Sequence, residues 1–167
     1  APIIISSTPI NLASTLKKNI ITSPKVSKKV RDDDFMEFAP FFTELKEKYA
    51  DVTVDTSLKA DSYGFVLAFV QTEADIEKVM KDTADKFSED PLLWFAYPKQ
   101  NSRRYEAVIN RDSDAWQLTG DAGFEAVRLV AIDKDWSAIR YRQVQFIKKL
   151  TRDPKMVRSW DGKKRYI

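Results

Sequence analysis

With 167 residues, 43% of them apolar and 12% aromatic, the chain is long enough to bury one good core and short enough to make a single domain the default reading. It contains no cysteine and no histidine, which excludes a disulfide framework, thiol and Ser-His nucleophiles and the usual zinc sites, so any catalysis has to run on carboxylates, lysine, tyrosine or a cofactor. The net charge of +3 is unevenly spread, with +6 over residues 1–31, −10 over 32–92 and +7 over 93–167, an asymmetry that fits either a surface for an anionic partner or a basic tail folded over an acidic body.

Residues 1–16 carry two prolines and no charge and read as an extended N-terminal arm docking on the body. No window reaches the ~20 apolar residues of a membrane-spanning helix, and the N-terminus lacks the basic leader of a signal peptide. A soluble, cytoplasmic protein with no membrane partner is therefore expected. A β-branched run at 18–23 stops at Pro24 and reads as a first strand. Phe35, Phe38, Phe42, Leu45 and Tyr49 then recur at three or four residues, the spacing of one helix face, with Pro40 near its start. Residues 51–58 alternate and are β-branched, as a strand requires.

The run at 65–71 has no polar interruption before its final Gln71, which predicts a strand buried on both faces, the pattern of a parallel sheet. Thr72 with Asp75 three residues on forms a capping box for a helix whose inner stripe is Ile76, Val79, Met80, Ala84 and Phe87. A second apolar strand follows at 92–97, so that strand, helix and strand make one βαβ unit. After a polar loop at 98–110, a short helix containing Trp116 and Leu118 is expected to end between Gly120 and Gly123. The runs at 125–133 and 136–144 are separated by two residues and read as an antiparallel hairpin. The end of the chain is strongly basic, with ten basic and two acidic residues from Arg140 onward. It reads as a helix broken by Pro154, then a mobile or docked end.

These elements predict a small Rossmann-like three-layer α/β domain, a mostly parallel sheet closed by an antiparallel hairpin, over residues 17–144, flanked by the arm at 1–16 and the basic tail at 145–167. The residues Tyr97-Pro98-Lys99, Asn110-Arg111-Asp112 with Trp116, and Asp133, Trp136, Ser137, Arg140 and Arg142 resemble the consensus of a family of small uncharacterised bacterial proteins, catalogued only as a domain of unknown function. That resemblance is specific over roughly 90–143. It implies a compact shape like a trimmed Rossmann methyltransferase and no established activity. Ser113 and Asp114 are extra residues relative to that pattern.

Chemistry is sparse. The first strand-to-helix turn holds Ser23-Pro24-Lys25 where a Rossmann domain would place glycines, which argues against a dinucleotide or S-adenosylmethionine; the cofactor is left undetermined and no metal is expected. Asp55 sits where a ribose-binding acid would fall, or is simply a solvent-facing strand residue. Tyr97, Lys99, Arg103, Arg104 and Arg111 gather past the carboxyl end of a central strand, where open α/β sheets bind ligands, and suit a phosphate or carboxylate or belong to a solvated loop. Asp112, Trp116, Asp133, Trp136, Arg140 and Arg142 read as structural, with the arginines pairing to Asp112 or Asp133. The tail cations Lys148, Lys149, Arg152, Lys155, Arg158, Lys163, Lys164 and Arg165, interleaved with Trp160 and Tyr166, allow nucleic-acid binding. Catalytic residues are not identified. The readings left open are a binding protein for a small anionic ligand or for another protein, a degenerate methyltransferase-like enzyme, and a nucleic-acid binder working through its tail.

Overall fold

The computed structural model describes residues 3–6, 54–55, 61–132, 134–150 and 153–165. The strand expected at 18–23, the phenylalanine-striped helix at 35–49, and Asp133, Arg152 and Tyr166 lie outside them.

The described strands are β1 (Ile3–Ser6), β2 (Val54–Asp55), β3 (Tyr63–Phe69), β4 (Phe87–Pro98), β5 (Phe124–Ala131) and β6 (Trp136–Gln143), in one sheet of order β2-β1-β3-β4-β6-β5. Every residue of β3 is buried. Each fully buried Phe, Leu or Val of this strand is worth about 1.5–3 kcal/mol in transfer from water, so an uninterrupted apolar run is what a strand in this position needs.

The helix α1 (Glu73–Thr83) forms with the expected cap, but it stops short of two residues of the expected inner stripe: Ala84 is its exposed C-cap and Phe87 already opens β4. The Thr72 side chain accepts from the Asp75 amide, and Asp75 accepts from the Thr72 amide, completing the capping box. Ile76, Val79 and Met80 face the sheet. β3 and β4 run parallel on either side of α1, the expected βαβ unit.

The rest of the expected topology is corrected. β1 is antiparallel to both β2 and β3, β6 is antiparallel to β4, and β5 to β6, so β3–β4 is the one parallel pair among the described strands and the sheet is mixed with mainly antiparallel pairing. The physical reason is that burial on both faces reports neighbours and cover, and an antiparallel partner such as β1 satisfies that as well as a parallel one. The closing hairpin β5–β6 forms as expected.

A 3₁₀ turn (Asp114–Trp116) leads into the short helix α2 (Gln117–Asp121), which ends at Gly123, whose φ of +88° favours glycine. Trp116, fully buried, packs against Phe95, Tyr97 and Tyr141 with ring centroids 5.4, 5.8 and 5.6 Å apart. With α1 it covers the sheet face that carries Leu93, Phe95, Ile139 and Tyr141. On the opposite face Trp136 is fully buried against Phe69 and Tyr105.

Past β6 the chain makes 3₁₀ turns at Val144–Phe146 and Pro154–Met156 and a last helix, α3 (Trp160–Lys164). Residues 147–150 are not helical; Pro154 starts a turn at its first position, where a missing N–H costs nothing. The described tail at 153–165 is docked. Glu125, 1% exposed, accepts the backbone amides of Arg158 and Ser159 at 3.0 and 2.5 Å. The Arg158 carbonyl accepts from the Gln117 side chain at 2.8 Å, and Gly120 lies so close that a Cβ there would stand 2.6–2.7 Å from Arg158 atoms. Arg165 donates to the carbonyls of Ile147 and Val144.

Candidate functional site

The strand-end residues divide on folding. After β4, the Lys99 amide donates to the Asp135 carbonyl at 2.7 Å, and the Ser102 hydroxyl donates to the Asp135 carboxylate at 2.9 Å. The amides of Arg104 and Tyr105 donate to the Ser102 hydroxyl oxygen, and the Arg104 guanidinium stands 3.9 Å from Asp135. Asp135, 2% exposed, thus ties the loop at 99–105 to the β5–β6 turn. Arg104 is drawn into that structural tie, and Arg103 is exposed in the loop.

Tyr97, Lys99 and Arg111 are brought together. With Gln100, Asn101, Asn110, Asp112, Leu129 and Ser137 they line a cleft of about 440 Å³. Burial raises the Tyr97 phenol above its ordinary value, with Arg111 pulling it down and Asp112 pushing it up. It is a neutral hydrogen-bond donor at physiological pH. Arg111 lies 3.8 Å from Asp112, and both side chains are about two-thirds exposed, so the pair is weak and leaves the guanidinium available.

The turn that presents Arg111 is built by its neighbours. The Asp112 amide donates to the Asn110 side chain at 2.8 Å and the Asn110 amide to the Ser113 hydroxyl at 2.9 Å, an Asx-type turn. From inside, the Trp116 indole N–H donates to the Asn110 carbonyl at 2.7 Å. From the tail, the Arg158 guanidinium donates to the carbonyls of Asp112 and Ser113. The Asn110–Trp116 motif is therefore a scaffold for one exposed cation.

A second cleft, of about 380 Å³, is lined by Arg111, Asp112, Ala126, Val127, Arg128, Leu129, Ile139 and Met156. It shares Arg111, Asp112 and Leu129 with the first. Adjoining through these residues, the two form a groove that is cationic at the Lys99 end, apolar along Ala126, Leu129, Ile139 and Met156, and bordered at the β5 edge by Arg128.

Arg140 and Arg142 do not pair with Asp112. Arg142 grips Asp90 through two hydrogen bonds of 2.9 and 2.6 Å. That contact lowers the Asp90 carboxyl below its ordinary value, assisted by the charges of Arg142 and Arg140 and opposed by burial. Asp90 sits in an irregularity of β4 at φ 48°, a left-handed conformation that aspartate tolerates. The residues that reading the sequence missed are Asp90, Glu125 and Asp135. Only Asp135 carried a signal, since it directly precedes a tryptophan in a hairpin turn.

No family model matches the chain, and no curated protein matches it. Among solved structures it is similar to a SAM-dependent methyltransferase from Aquifex aeolicus, at 14% identity and a TM-score of 0.42, over 65% of this chain and 64% of that one. The chain spans less than two thirds of that structure's length, and the likeness is too loose to carry an argument about fold or reaction. The class of protein that the fold defines is a mixed α/β domain. Among the described residues no helix is long and apolar enough to cross a membrane.

Proposed function

We propose that the domain binds a small molecule with an anionic group on an apolar body, held in the groove between the end of β4 and the β5–β6 edge. The observation that carries this reading is the fusion of the two clefts at Arg111, Asp112 and Leu129. Lys99 and Arg111 would hold a carboxylate or phosphate, Arg as a planar fork and Lys as a point charge, and the neutral Tyr97 phenol would donate to it. Leu129, 45% exposed on β5, would be covered by the ligand's apolar part. The combined size suits a ligand of a dozen or so heavy atoms.

The test is calorimetric titration with octanoate and octyl phosphate, with octanol as the neutral control. Saturable binding of either anion, absent with octanol and weakened at least tenfold by Lys99→Glu or Arg111→Glu, supports the reading. No heat with either anion overturns it. S-adenosylmethionine is titrated in parallel: saturable binding of that compound alone would favour the degenerate-methyltransferase alternative. The nucleic-acid reading of the tail draws less support, because Arg158 and Arg165 are spent on backbone carbonyls.

A further inference from the structure

The opposite sheet face carries a concentration of positive charge. Arg128 on β5 stands directly across from Arg140 on β6, a like-charged cross-strand pair of the kind that destabilises a sheet. Arg142, two residues on, points to the same face. The segment after β6 brings Lys148 and Lys149 to the same place. With Val127, Phe146 and Ile147 these five cations line a cleft of about 470 Å³.

Their counter-charge is thin. Asp90 is engaged bidentately by Arg142, and Glu125, across from Arg142 in the sheet, is held by the tail amides of Arg158 and Ser159; among the described residues no acid pairs with Arg128, Arg140, Lys148 or Lys149. Arg140 is half-buried and its Nε–H is buried without an acceptor; the indole N–H of Trp94, its cross-strand neighbour on β4, is in the same condition. A buried donor without a partner costs about 1–3 kcal/mol. Burial first, then the charge of Arg142 and more weakly that of Arg128, lower the Arg140 guanidinium from its ordinary value, with the Asp90 carboxylate opposing them. Asp90, in its left-handed conformation, orients Arg142, which is how a binding cation is fixed before its ligand arrives.

We infer that this cleft is a binding site for a ligand carrying two or more phosphate groups, held by Arg128, Arg140, Arg142, Lys148 and Lys149. A single carboxylate would offset one of these charges and leave most of the repulsion in place. A diphosphate offsets several, and its oxygens suit the guanidinium forks. Phe146 and the bulged Val127 give the cleft an apolar wall, against which a base or similar flat group would lie. The same chemistry is offered by a free nucleoside diphosphate and by a polynucleotide backbone.

The test uses the full chain and three probes, pyrophosphate, ADP and a ten-nucleotide single-stranded DNA, read by titration calorimetry and by the fluorescence of Trp94 beside Arg140. Saturable binding of at least one probe is expected. It should weaken at least tenfold in Arg128→Glu, which borders both clefts, and in the double variant Lys148→Glu/Lys149→Glu, which touches this cleft and not the Arg111 groove, all exposed positions that tolerate the change. Lys81→Glu, exposed on α1, matches the charge change of the single variant and should leave binding within twofold. Pyrophosphate and ADP binding comparably to, or more tightly than, the oligonucleotide identifies a free diphosphate as the source. Oligonucleotide binding that is far tighter, and falls steeply with salt, identifies a polynucleotide backbone. The inference is overturned if none of the three probes saturates, or if Arg128→Glu and the double-lysine variant bind as the wild type does.

Discussion

Glu125 is the residue on which the docked end of the chain depends, and its replacement separates the two parts of that dependence. Its Oε2 accepts both backbone amides, from Arg158 at 3.0 Å and Ser159 at 2.5 Å, while Oε1 adds a longer contact of 3.2 Å to Arg158. Glu125→Gln can keep an oxygen at the Oε2 position, so it loses the charge and the weaker contact, at a cost of about 1–2 kcal/mol. Glu125→Ala leaves two amides in a buried place without this acceptor, each worth about 1–3 kcal/mol, and the expected loss is roughly 3–5 kcal/mol. For a chain of this size that is a fall in Tm of about 6–20 °C for Ala and about 2–8 °C for Gln. Urea unfolding gives the free energies, and limited trypsin digestion at Lys155 and Arg158 reports undocking before global unfolding. If Ala and Gln are indistinguishable, or if Ala unfolds within about 0.5 kcal/mol of wild type, the amides are satisfied in some other way and the reasoning fails.

Other outcomes follow from the same contacts. Gly120→Ala puts a methyl group 2.6–2.7 Å from Arg158, backbone included; overpacking of about 1–3 kcal/mol should outweigh the ~1 kcal/mol gained in helix propensity and speed tail proteolysis, and its cost should be less than additive with Glu125→Ala, since both act on one contact. The Asp90 carboxyl is lower in the folded than in the unfolded state, so its stabilisation is complete above the ordinary carboxylate range near ~4 and disappears as pH falls through the depressed folded value. Asp90→Asn should cost on the order of 1 kcal/mol at neutral pH, the pair being about a third exposed, and should flatten the acid limb of a stability–pH curve. Trp116→Phe removes the indole donor to Asn110 and should lower stability by about 1–2 kcal/mol while weakening octyl phosphate binding through a loosened Arg111 turn; unchanged binding would show that the turn holds without its inner anchor.

The parts of the fold legible in the sequence are those whose cause is local. Thr72 and Asp75 announce α1 because a capping box is three residues long. Gly123 ends α2 because its backbone needs φ > 0, and the two-residue gap before Trp136 leaves the strands only a hairpin. Strand direction was not legible, because β1 reaches β3 from more than fifty residues away and its apolar run looks the same for either polarity. Asp90 sat in a Ser-Glu-Asp-Pro stretch that reads as a loop, and nothing nearby announces a partner 52 residues on. Glu125 opened an alternating strand, where an acid is ordinarily solvent-facing. Its burial comes from the tail, and a basic composition alone leaves open whether that tail is mobile or docked, and against what.

That pattern bears on which charges carry function. The motifs that look most chemical, Asn110 to Trp116 and Asp135-Trp136, are occupied in holding turns, with Asn110, Ser113, Asp135 and Arg158 each bonded to backbone or to one another. Arg165 is likewise tied to backbone carbonyls, and Arg142 is held in place by Asp90 while still lining its cleft. Among the other described cations, two groups border clefts. Lys99 and Arg111 stand beside an apolar floor, and Arg128, Arg140, Lys148 and Lys149 crowd one another on the far side of the sheet. A cation that stabilises the fold has an acceptor in the fold, and its loss lowers Tm. A cation crowded by others without one is a net cost, so replacing Arg128 by a neutral residue should leave stability unchanged or raise it. Comparing Arg128→Gln with Arg158→Gln by thermal unfolding separates the two kinds: the first is expected to melt at or above the wild-type temperature and the second below it, and a clear fall for Arg128→Gln would mean that this charge is neutralised within the fold.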